Sequence, residues 1–346
     1  MPRPFHGFAL VTLGIAAACA SIPSGNPAVT VTAKAETVPV GTVDEDAADD
    51  PAIWRNPDDP AKSLIVGTDK KGGLYVYNLK GEQLSFMAAP GLNNVDLIEI
   101  DGFVFVVASD RSDPATAHLN IALLNPTTGQ LGQLERISVG PGEGYGVCLT
   151  KAGQGRAFTA FSAPKSGVIY QTRIVEGPEG DLQQSTTILT TVPSQPEGCV
   201  VDDRTGTLYI GEEAAGIWAI DIKSGEKALV APTGTGMTVP DVEGLALAPE
   251  GEDGGYLVAS SQGDNAFAVY RLPGVEPIGR FRIAAGAFGS VEETDGIELD
   301  PRSFGPDFPA GLFIAQDGIN PPNAQNFKLV RWDSILEQLE GASLTQ

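Results

Sequence analysis

The strongest constraint on the fold is a unit that recurs six times between residues 49 and 332. Each unit opens with a polar residue and a short apolar run, turns into a second apolar run that ends in polar residues, and closes with a third. Units of about 50 residues have the size of a four-stranded propeller blade. The repeat predicts an all-β fold, a six-bladed β-propeller of four-stranded antiparallel blades, whereas a sandwich would not explain the fixed polar positions. The opening residues are Asp50, Asp96, Tyr145, Glu197, Glu243 and Asp295.

The composition agrees with many short strands joined by turns, because the 346 residues include 42 glycines and 26 prolines. Three segments are expected: a signal peptide at 1–20, a linker at 21–40 and a propeller domain at 41–346. Alternating polarity at 29–40 could supply a strand that completes the last blade. A short terminal helix is predicted at 334–339.

The first residues are typical of an export signal. Arg3 and His6 form a basic start, and residues 8–18 form an apolar core that is too short to span a bilayer. Cleavage could follow Ala20. Alternatively, residues 16–19 (AAAC) resemble a bacterial lipobox, although its usual Leu is missing, and Cys19 would then carry a lipid. The protein is expected to be exported, and to be periplasmic, secreted or lipid-anchored at the outer membrane.

Cysteine and histidine are too few for several common kinds of site. Cys148 and Cys199 could pair, or could remain two buried free thiols, because both lie in predicted inner strands. The chain contains only His6 and His118, so almost no histidine is available for a Ser-His triad. No Cys/His metal pattern exists.

Antiparallel pairing predicts where the polar residues meet. The innermost strand of a blade starts at the face where the second strand ends, so the six openings and the polar strand ends should converge around one mouth of the central channel. Oxygen ligands at that density suit Ca²⁺, and Mg²⁺ and Mn²⁺ less well. Several calcium ions are therefore expected. The candidate ligands are Asp49, Asp50, Asp96, Tyr145, Glu197, Glu212, Glu213, Asp241, Glu243, Gln262, Glu293, Asp295 and Asp317.

Basic residues fall in the same ring of loops, at Lys70, Lys71, Arg111 and Lys165. The net charge of −22 argues against nucleic acid or an anionic membrane as a partner. Bound cations together with Lys and Arg would reverse that sign locally and bind phosphate oxygens. These residues predict metal-assisted hydrolysis of a phosphate ester. The alternative is that calcium only clamps the propeller.

Motifs in every unit resemble those of the β-propeller phytases. The resemblance covers about residues 48–332, nearly the whole expected mature chain. The motifs are 48–54 (ADDPAIW), 69–74 (DKKGGL), 93–96 (NNVD), 197–199 (EGC), 211–218 (GEEAAGIW), 241–245 (DVEGL), 260–263 (SSQG), 294–296 (TDG), 315–318 (AQDG) and 326–328 (NFK).

The resemblance implies a 3-phytase-type phosphoric monoester hydrolase that needs calcium for stability and for catalysis. It implies stepwise removal of phosphate from phytate (myo-inositol hexakisphosphate), preferably as the calcium complex. A calcium-bound water would attack phosphorus directly, with no covalent phosphoenzyme. A monomer without a protein partner is expected.

The resemblance also implies residue roles. Lys70, Arg111 and Lys165 would bind phosphate, with Lys71 beside them. Gln262, Glu293, Asp295 and Asp317 would lie near structural calcium sites. The catalytic calcium cluster would be held by Asp50, Tyr145, Glu197, Glu212, Asp241 and Glu243, of which Asp50, Tyr145, Glu197 and Glu243 are the predicted catalytic residues.

One loop departs from the family pattern. Gly289 stands where the family usually has Asp, and Glu293 replaces another Asp, so one structural calcium site is either lost or remade by Glu292. Two other functions stay open: a propeller hydrolase acting on other phosphate esters or lactones, and a non-catalytic calcium-stabilised binding module.

Overall fold

The computed structural model describes residues 24–43, 46–177 and 179–343. It confirms the predicted all-β fold, with six antiparallel blades of four strands arranged around a central channel. The predicted signal peptide and Cys19 lie outside the described residues.

Two short strands precede the first blade and close the ring. Strand β1 (Val29–Thr32) pairs in parallel with the outer strand of the fifth blade. Strand β2 (Ala35–Glu36) pairs antiparallel with the third strand of the sixth blade, and so takes the fourth position there. The 29–40 segment therefore contributes to two blades, where the sequence indicated a single closing strand.

The first three blades each use four consecutive strands, which follow one another from the channel outward. Blade 1 consists of β3 (Ala48–Trp54), β4 (Leu64–Asp69), β5 (Gly73–Asn78) and β6 (Gln83–Ala88). Blade 2 consists of β7 (Leu92–Ile100), β8 (Phe103–Asp110), β9 (Thr116–Asn125) and β10 (Gln130–Pro141). Blade 3 consists of β11 (Gly146–Lys151), β12 (Ala157–Ala163), β13 (Val168–Glu176) and β14 (Leu182–Thr191).

The last three blades follow the same order. Blade 4 consists of β15 (Pro196–Asp202), β16 (Thr207–Glu212), β17 (Gly216–Asp221) and β18 (Lys227–Pro232). Blade 5 consists of β19 (Val242–Glu250), β20 (Gly254–Ser261), β21 (Ala266–Leu272) and β22 (Glu276–Ala284), with β1 added outside. Blade 6 consists of β23 (Ile297–Asp300), β24 (Leu312–Asp317) and β25 (Asn326–Arg331), with β2 as its outer strand.

The hydrophobic core lies between the blades. The described residues form six apolar clusters, and each one joins two neighbouring blades. Between blades 5 and 6, the rings of Phe267, Phe281 and Phe313 pack with centroids 4.9–5.4 Å apart. Burial of apolar surface at these interfaces stabilises the ring at about 25 cal/mol per Å².

A terminal helix, α1 (Trp332–Ser343), covers the junction of blades 5 and 6. Its residues Trp332, Ile335 and Leu339 belong to the apolar cluster there. The helix is longer than the predicted 334–339 segment. No helix in the described part of the chain has the length and apolar character needed to cross a membrane.

A buried ion pair network fixes the closing strand β2. The Lys328 side chain is fully buried, and its Nζ lies 3.1 Å from Asp317 Oδ2 and also contacts Glu36 on β2. A buried ammonium is stable only when it is paired in this way. Lys328 therefore ties the N-terminal segment to the second and third strands of blade 6.

Cys148 and Cys199 form a disulfide, which decides between the two alternatives left open by the sequence. The bond joins the innermost strands of blades 3 and 4, β11 and β15. Neighbouring blades contact one another mainly through side chains, so this covalent link constrains an interface that apolar packing otherwise holds.

We predict that removal of the disulfide lowers stability without changing the fold. A cross-link that closes a loop of 51 residues reduces the entropy of the unfolded chain by an amount worth about 4 kcal/mol. The double variant Cys148→Ala/Cys199→Ala should therefore melt several degrees below the native protein in a circular dichroism scan. A reductant should lower the melting temperature of the native protein and leave that of the double variant unchanged. Equal melting temperatures for the two oxidised proteins would contradict the prediction.

Candidate active site

Close contact between inner strands brings the opening residues together. A Cβ atom placed on Gly198 would lie 2.3 Å from the carbonyl oxygen of Glu243 on the next blade, so only glycine fits there. Gly146 abuts the Glu197 carbonyl in the same way, and the Gly244 N–H donates to the Asp295 carbonyl. The residue before each of these glycines consequently lies at the channel mouth.

Each of four inner strands begins with a β-bulge, which interrupts the alternation of its side chains between the two faces of the sheet. The pairing register shifts between Ala48 and Pro51 in β3 and between Leu92 and Val95 in β7. The same shift occurs at 196–199 in β15 and at 242–245 in β19. Because bulges re-aim side chains, two consecutive polar residues point in directions that an ideal strand would not give.

Three carboxylates converge at the mouth. Glu197, Glu213 and Glu243 each offer an oxygen, and these oxygens lie within 4.8 Å of one another. Glu197 and Glu243 are buried, and Glu243 Oε2 has no hydrogen-bond partner among the described residues. Like charges this close repel one another unless a proton or a cation lies between them.

The pKa values of these three carboxyl groups reflect their burial and their mutual repulsion. Burial, and then the charge of Glu197, raise the pKa of Glu243 well above its ordinary value. Burial also raises the pKa of Glu197. Burial raises the pKa of Glu213 to about 7, and the charges of Glu197 and Asp241 add to the effect. Without a bound cation, the cluster therefore retains protons near neutral pH.

Lys70 supplies a fixed positive charge beside this cluster. Its Nζ lies 3.0 Å from Asp49 Oδ1, 2.8 Å from Asp295 Oδ2 and 2.9 Å from Asp46 Oδ2. Burial opposes its charge, but the three carboxylates raise the pKa of Lys70 far above its ordinary value. Asp295 also accepts a hydrogen bond from Gln262 Nε2 at 2.7 Å.

A buried amide connects the acidic cluster to the basic rim. Asn93 Nδ2 donates to Glu197 Oε1 at 2.9 Å, and Asn93 Oδ1 accepts from Arg111 Nη1 at 2.8 Å. Asn93 is not among the residues predicted for the site. The only signal in the sequence was its position in the NNVD motif, just ahead of the opening residue Asp96.

The predicted phosphate-binding residues form the rim of the mouth. Arg111 Cζ and Lys165 Nζ lie 5.3 and 4.5 Å from the centroid of the Tyr145 ring. Lys70, the exposed Lys71 and Arg111 line an open cleft of about 560 Å³. Burial, and then the charges of Glu197 and Glu243, raise the pKa of Tyr145, so its phenol stays neutral.

Two predicted ligands face the central channel instead of the cluster. Asp50 Oδ2 accepts from the Val95 N–H at 3.0 Å, while the preceding Asp49 contacts Lys70. Asp96 Oδ2 accepts from the Leu149 N–H at 2.8 Å. Asp50, Asp96 and Glu298 line a channel cavity of about 250 Å³.

The Glu212–Glu213 pair is divided in a similar way. Glu212 is buried, and its carboxylate accepts hydrogen bonds from Trp218 Nε1 at 2.7 Å and from Ser194 Oγ. Glu213 faces the cluster. Strand β16 ends at Glu212 and Glu213 follows it in the turn, so only Glu213 reaches the cluster.

The residues assigned to structural calcium sites form two groups, one at Gln262 and Asp295 and one where Asp317 accepts from the Glu292 N–H beside Glu293. Gln262 and Asp295 join the Lys70 network. Asp317 is buried against Lys328, and Glu293 is exposed, with its N–H bonded to Asn265 Oδ1. A Cβ atom on Gly289 would lie 3.9 Å from Lys328 Nζ, so the departing loop lies beside this lysine.

Comparison with known proteins decides the family. The phytase family model matches residues 7–344. The chain belongs to the phytase family. It is 38% identical over 329 residues to a 3-phytase of Bacillus subtilis strain 168, an alignment that covers 89% of this chain and 85% of the relative. The predicted family is thereby confirmed, and the chain is a phytase-type hydrolase.

The mouth of this phytase-family propeller fits a hard divalent cation. Glu197, Glu213 and Glu243 supply carboxylate oxygens, the donors that calcium prefers. Oε2 of Glu243 is buried and accepts no hydrogen bond from the described residues. A cation there would satisfy this oxygen and offset the burial and the repulsion that raise the three pKa values.

We predict that the chelator-treated protein becomes less stable as the pH rises from about 5 to 8. Burial raises the pKa of Asp96 to about 7 and that of Glu298 to about 8. The folded state therefore binds these protons more tightly than the unfolded chain does, whose carboxyl pKa values are about 4. Their stabilising effect is complete below pH 4 and is lost as the pH passes 7 to 8.

The measurement is the melting temperature at a series of pH values in chelator. Glu298→Gln removes one of these titrations and keeps an oxygen that can accept from the Leu299 N–H. Its melting temperature should fall less between pH 5 and pH 8 than that of the native protein. A native melting temperature that rises over this interval would contradict the prediction.

Proposed function

We propose that this protein hydrolyses the phosphate monoesters of phytate in a calcium-dependent reaction, releasing phosphate and lower inositol phosphates. The observation that carries the proposal is the proximity of two sets of groups at the channel mouth, where the charge of Lys70 acts on Glu197 and that of Lys165 on Glu213. Carboxylates without a protein counter-ion among the described residues lie at its centre, and Lys70, Arg111 and Lys165 surround them. The family and the B. subtilis relative support phytate as the substrate.

The central carboxylates are the groups that would hold calcium. Glu197, Glu213 and Glu243 form the core of this set, with Asp49 and Asp241 close enough for their charges to act on it. Calcium, when bound, would draw electron density from phosphoryl oxygens and acidify the water that attacks phosphorus. Asn93 holds the Glu197 carboxylate in place through its hydrogen bond.

The basic rim would bind and orient the substrate. Phytate is a polyanion that the net charge of −22 repels at long range. Arg111 and Lys165 offer N–H donors beside Tyr145, and the exposed Lys71 can reach a second phosphate group. Charge-assisted hydrogen bonds of this type are short and strong. Lys70, which its carboxylates hold permanently protonated, would neutralise charge on the phosphate that is cleaved.

Direct attack by water agrees with the side chains that are present. His118 Nδ1 lies 3.0 Å from Arg136 Nη2, in an ion-pair network that also includes Asp110. Within the described part of the chain, the residues that form the mouth include no histidine, serine or cysteine nucleophile. The proposed reaction is a direct attack by water, without a covalent phosphoenzyme.

We also propose that the enzyme is exported and acts as a monomer. The predicted signal at 1–20 supports export. The Cys148–Cys199 disulfide supports it independently, because disulfides persist in oxidising compartments such as the periplasm or the medium.

We predict that phosphate release from phytate depends on calcium in a bell-shaped manner. Activity should be absent in chelator, rise as the carboxylate cluster fills, and fall when excess calcium sequesters the substrate. The measurement is phosphate release by the purified mature chain over calcium concentrations from chelator-treated to millimolar. No release at any calcium concentration, from a protein whose melting temperature calcium still raises, would refute the proposed function.

We predict that Glu197→Gln lowers kcat by at least about 100-fold, since a preorganised charged group at the reacting centre contributes on that order. The fold should persist, because the glutamine Oε1 can still accept from Asn93 Nδ2. Glu298→Gln is the matched control, as it neutralises a carboxyl group in the channel outside the cluster. Near-normal turnover by Glu197→Gln, or an equal loss in the control, would show that the site is misassigned.

A further inference from the structure

We propose that Glu143 is an internal counter-ion that incoming phosphate must displace from Arg111 and Lys165, and that it thereby sets the affinity of the site for phosphate. The proposal rests on the proposed function, in which these two cations bind substrate phosphate. Glu143 was not among the residues that the sequence assigned to the site.

One oxygen of Glu143 bridges the two cations. Glu143 Oε1 lies 3.0 Å from Arg111 Nη2 and 3.4 Å from Lys165 Nζ. The side chains of Glu143, Arg111 and Lys165 are 25%, 29% and 30% exposed, so the pair of contacts is open to solvent on one side. A carboxylate oxygen between an arginine and a lysine has the same sign of charge and the same donors as a bound phosphate oxygen.

Arg111 is positioned to keep its orientation when Glu143 leaves. Its Nη1 donates to the buried Asn93, and its guanidinium lies over the ring of Tyr145. Lys165 also contacts that ring, from 4.5 Å. The two cations are therefore held by groups other than Glu143, and phosphate could replace the carboxylate without rearranging the rim.

The other cation of the mouth is arranged differently. Lys70 pairs with Asp49 and Asp295, which are largely buried and belong to the central network. Glu143 is the partly exposed partner of the cations at the rim. It lies on the loop that precedes Tyr145 and β11. Its contacts are consequently the ones that a ligand arriving from solvent meets first.

Competition of this kind predicts the sign of the effect. A partly exposed ion pair shifts an equilibrium constant by about 1.5-fold to fivefold, and Glu143 forms two. Removing its charge should therefore tighten phosphate binding by about threefold to tenfold. If Glu143 instead oriented the cations for phosphate, its removal would weaken binding.

The experiment compares Glu143→Gln with the native enzyme and with Asp113→Asn. The second variant removes the same charge from the loop that follows Arg111, where Asp113 Oδ1 accepts a hydrogen bond from the Ala115 N–H. Two quantities are measured at a fixed submillimolar calcium concentration that avoids precipitation. These are the inhibition constant of inorganic phosphate against phytate hydrolysis and the dissociation constant of inorganic phosphate by calorimetry.

We expect Glu143→Gln to lower both constants by about threefold to tenfold, and Asp113→Asn to change them by less than about twofold. Unchanged or raised constants in Glu143→Gln would overturn the proposal, as would an equal decrease in Asp113→Asn. Calorimetry does not need turnover. If no protein hydrolyses phytate, the proposed function fails while the calorimetric constants still decide whether Glu143 competes with phosphate.

Discussion

Backbone contact between neighbouring inner strands is the constraint on which the rest of the structure depends. Glycines such as Gly198 and Gly244 let one inner strand rest against the carbonyl oxygens of the next. The acidic residue ahead of each glycine is then carried to the channel mouth, whatever repulsion results there. Apolar clusters between the blades and the Cys148–Cys199 bond hold the ring closed against that repulsion. The site is thus less stable than a neutral mouth would be, and a bound cation removes the conflict.

The acids of the protein differ in whether they have a counter-ion within the chain. Asp49 and Asp295 pair with Lys70, Asp317 pairs with the buried Lys328, and Asp264 pairs with the buried Arg280. The ion pairs of the described residues do not include Glu197, Glu213 or Glu243. An acid with an internal cation is satisfied without a ligand. The proposed function uses three of the acids that lack one, which lie together at the channel mouth.

Much of the site could be predicted from the repeat, but not which of two adjacent acids would reach it. The sequence pointed to both Asp49 and Asp50, whereas in the structure Asp49 contacts Lys70 and Asp50 faces the channel. The reason is the bulge between Ala48 and Pro51, which breaks the alternation that a sequence pattern assumes. Glu212 and Glu213 presented the same ambiguity, and in the structure Glu212 accepts a hydrogen bond from Trp218 while Glu213 faces the cluster. Asn93 had only the NNVD motif as a signal and Glu143 had none, because their roles depend on contacts with residues distant in sequence.

The sequence by itself determined the six-bladed ring, the face on which its polar residues gather and the family. The ring and its polar face repeat along the chain, so local periodicity with antiparallel pairing is sufficient to derive them, whereas the family follows from the resemblance of the motifs. Only the tertiary structure decided which carboxylates lack a counter-ion, that Cys148 bonds to Cys199, and that Glu143 bridges Arg111 and Lys165. Each of these properties depends on which side chains of neighbouring blades come within a few ångströms of one another. Residue order alone does not encode these distances.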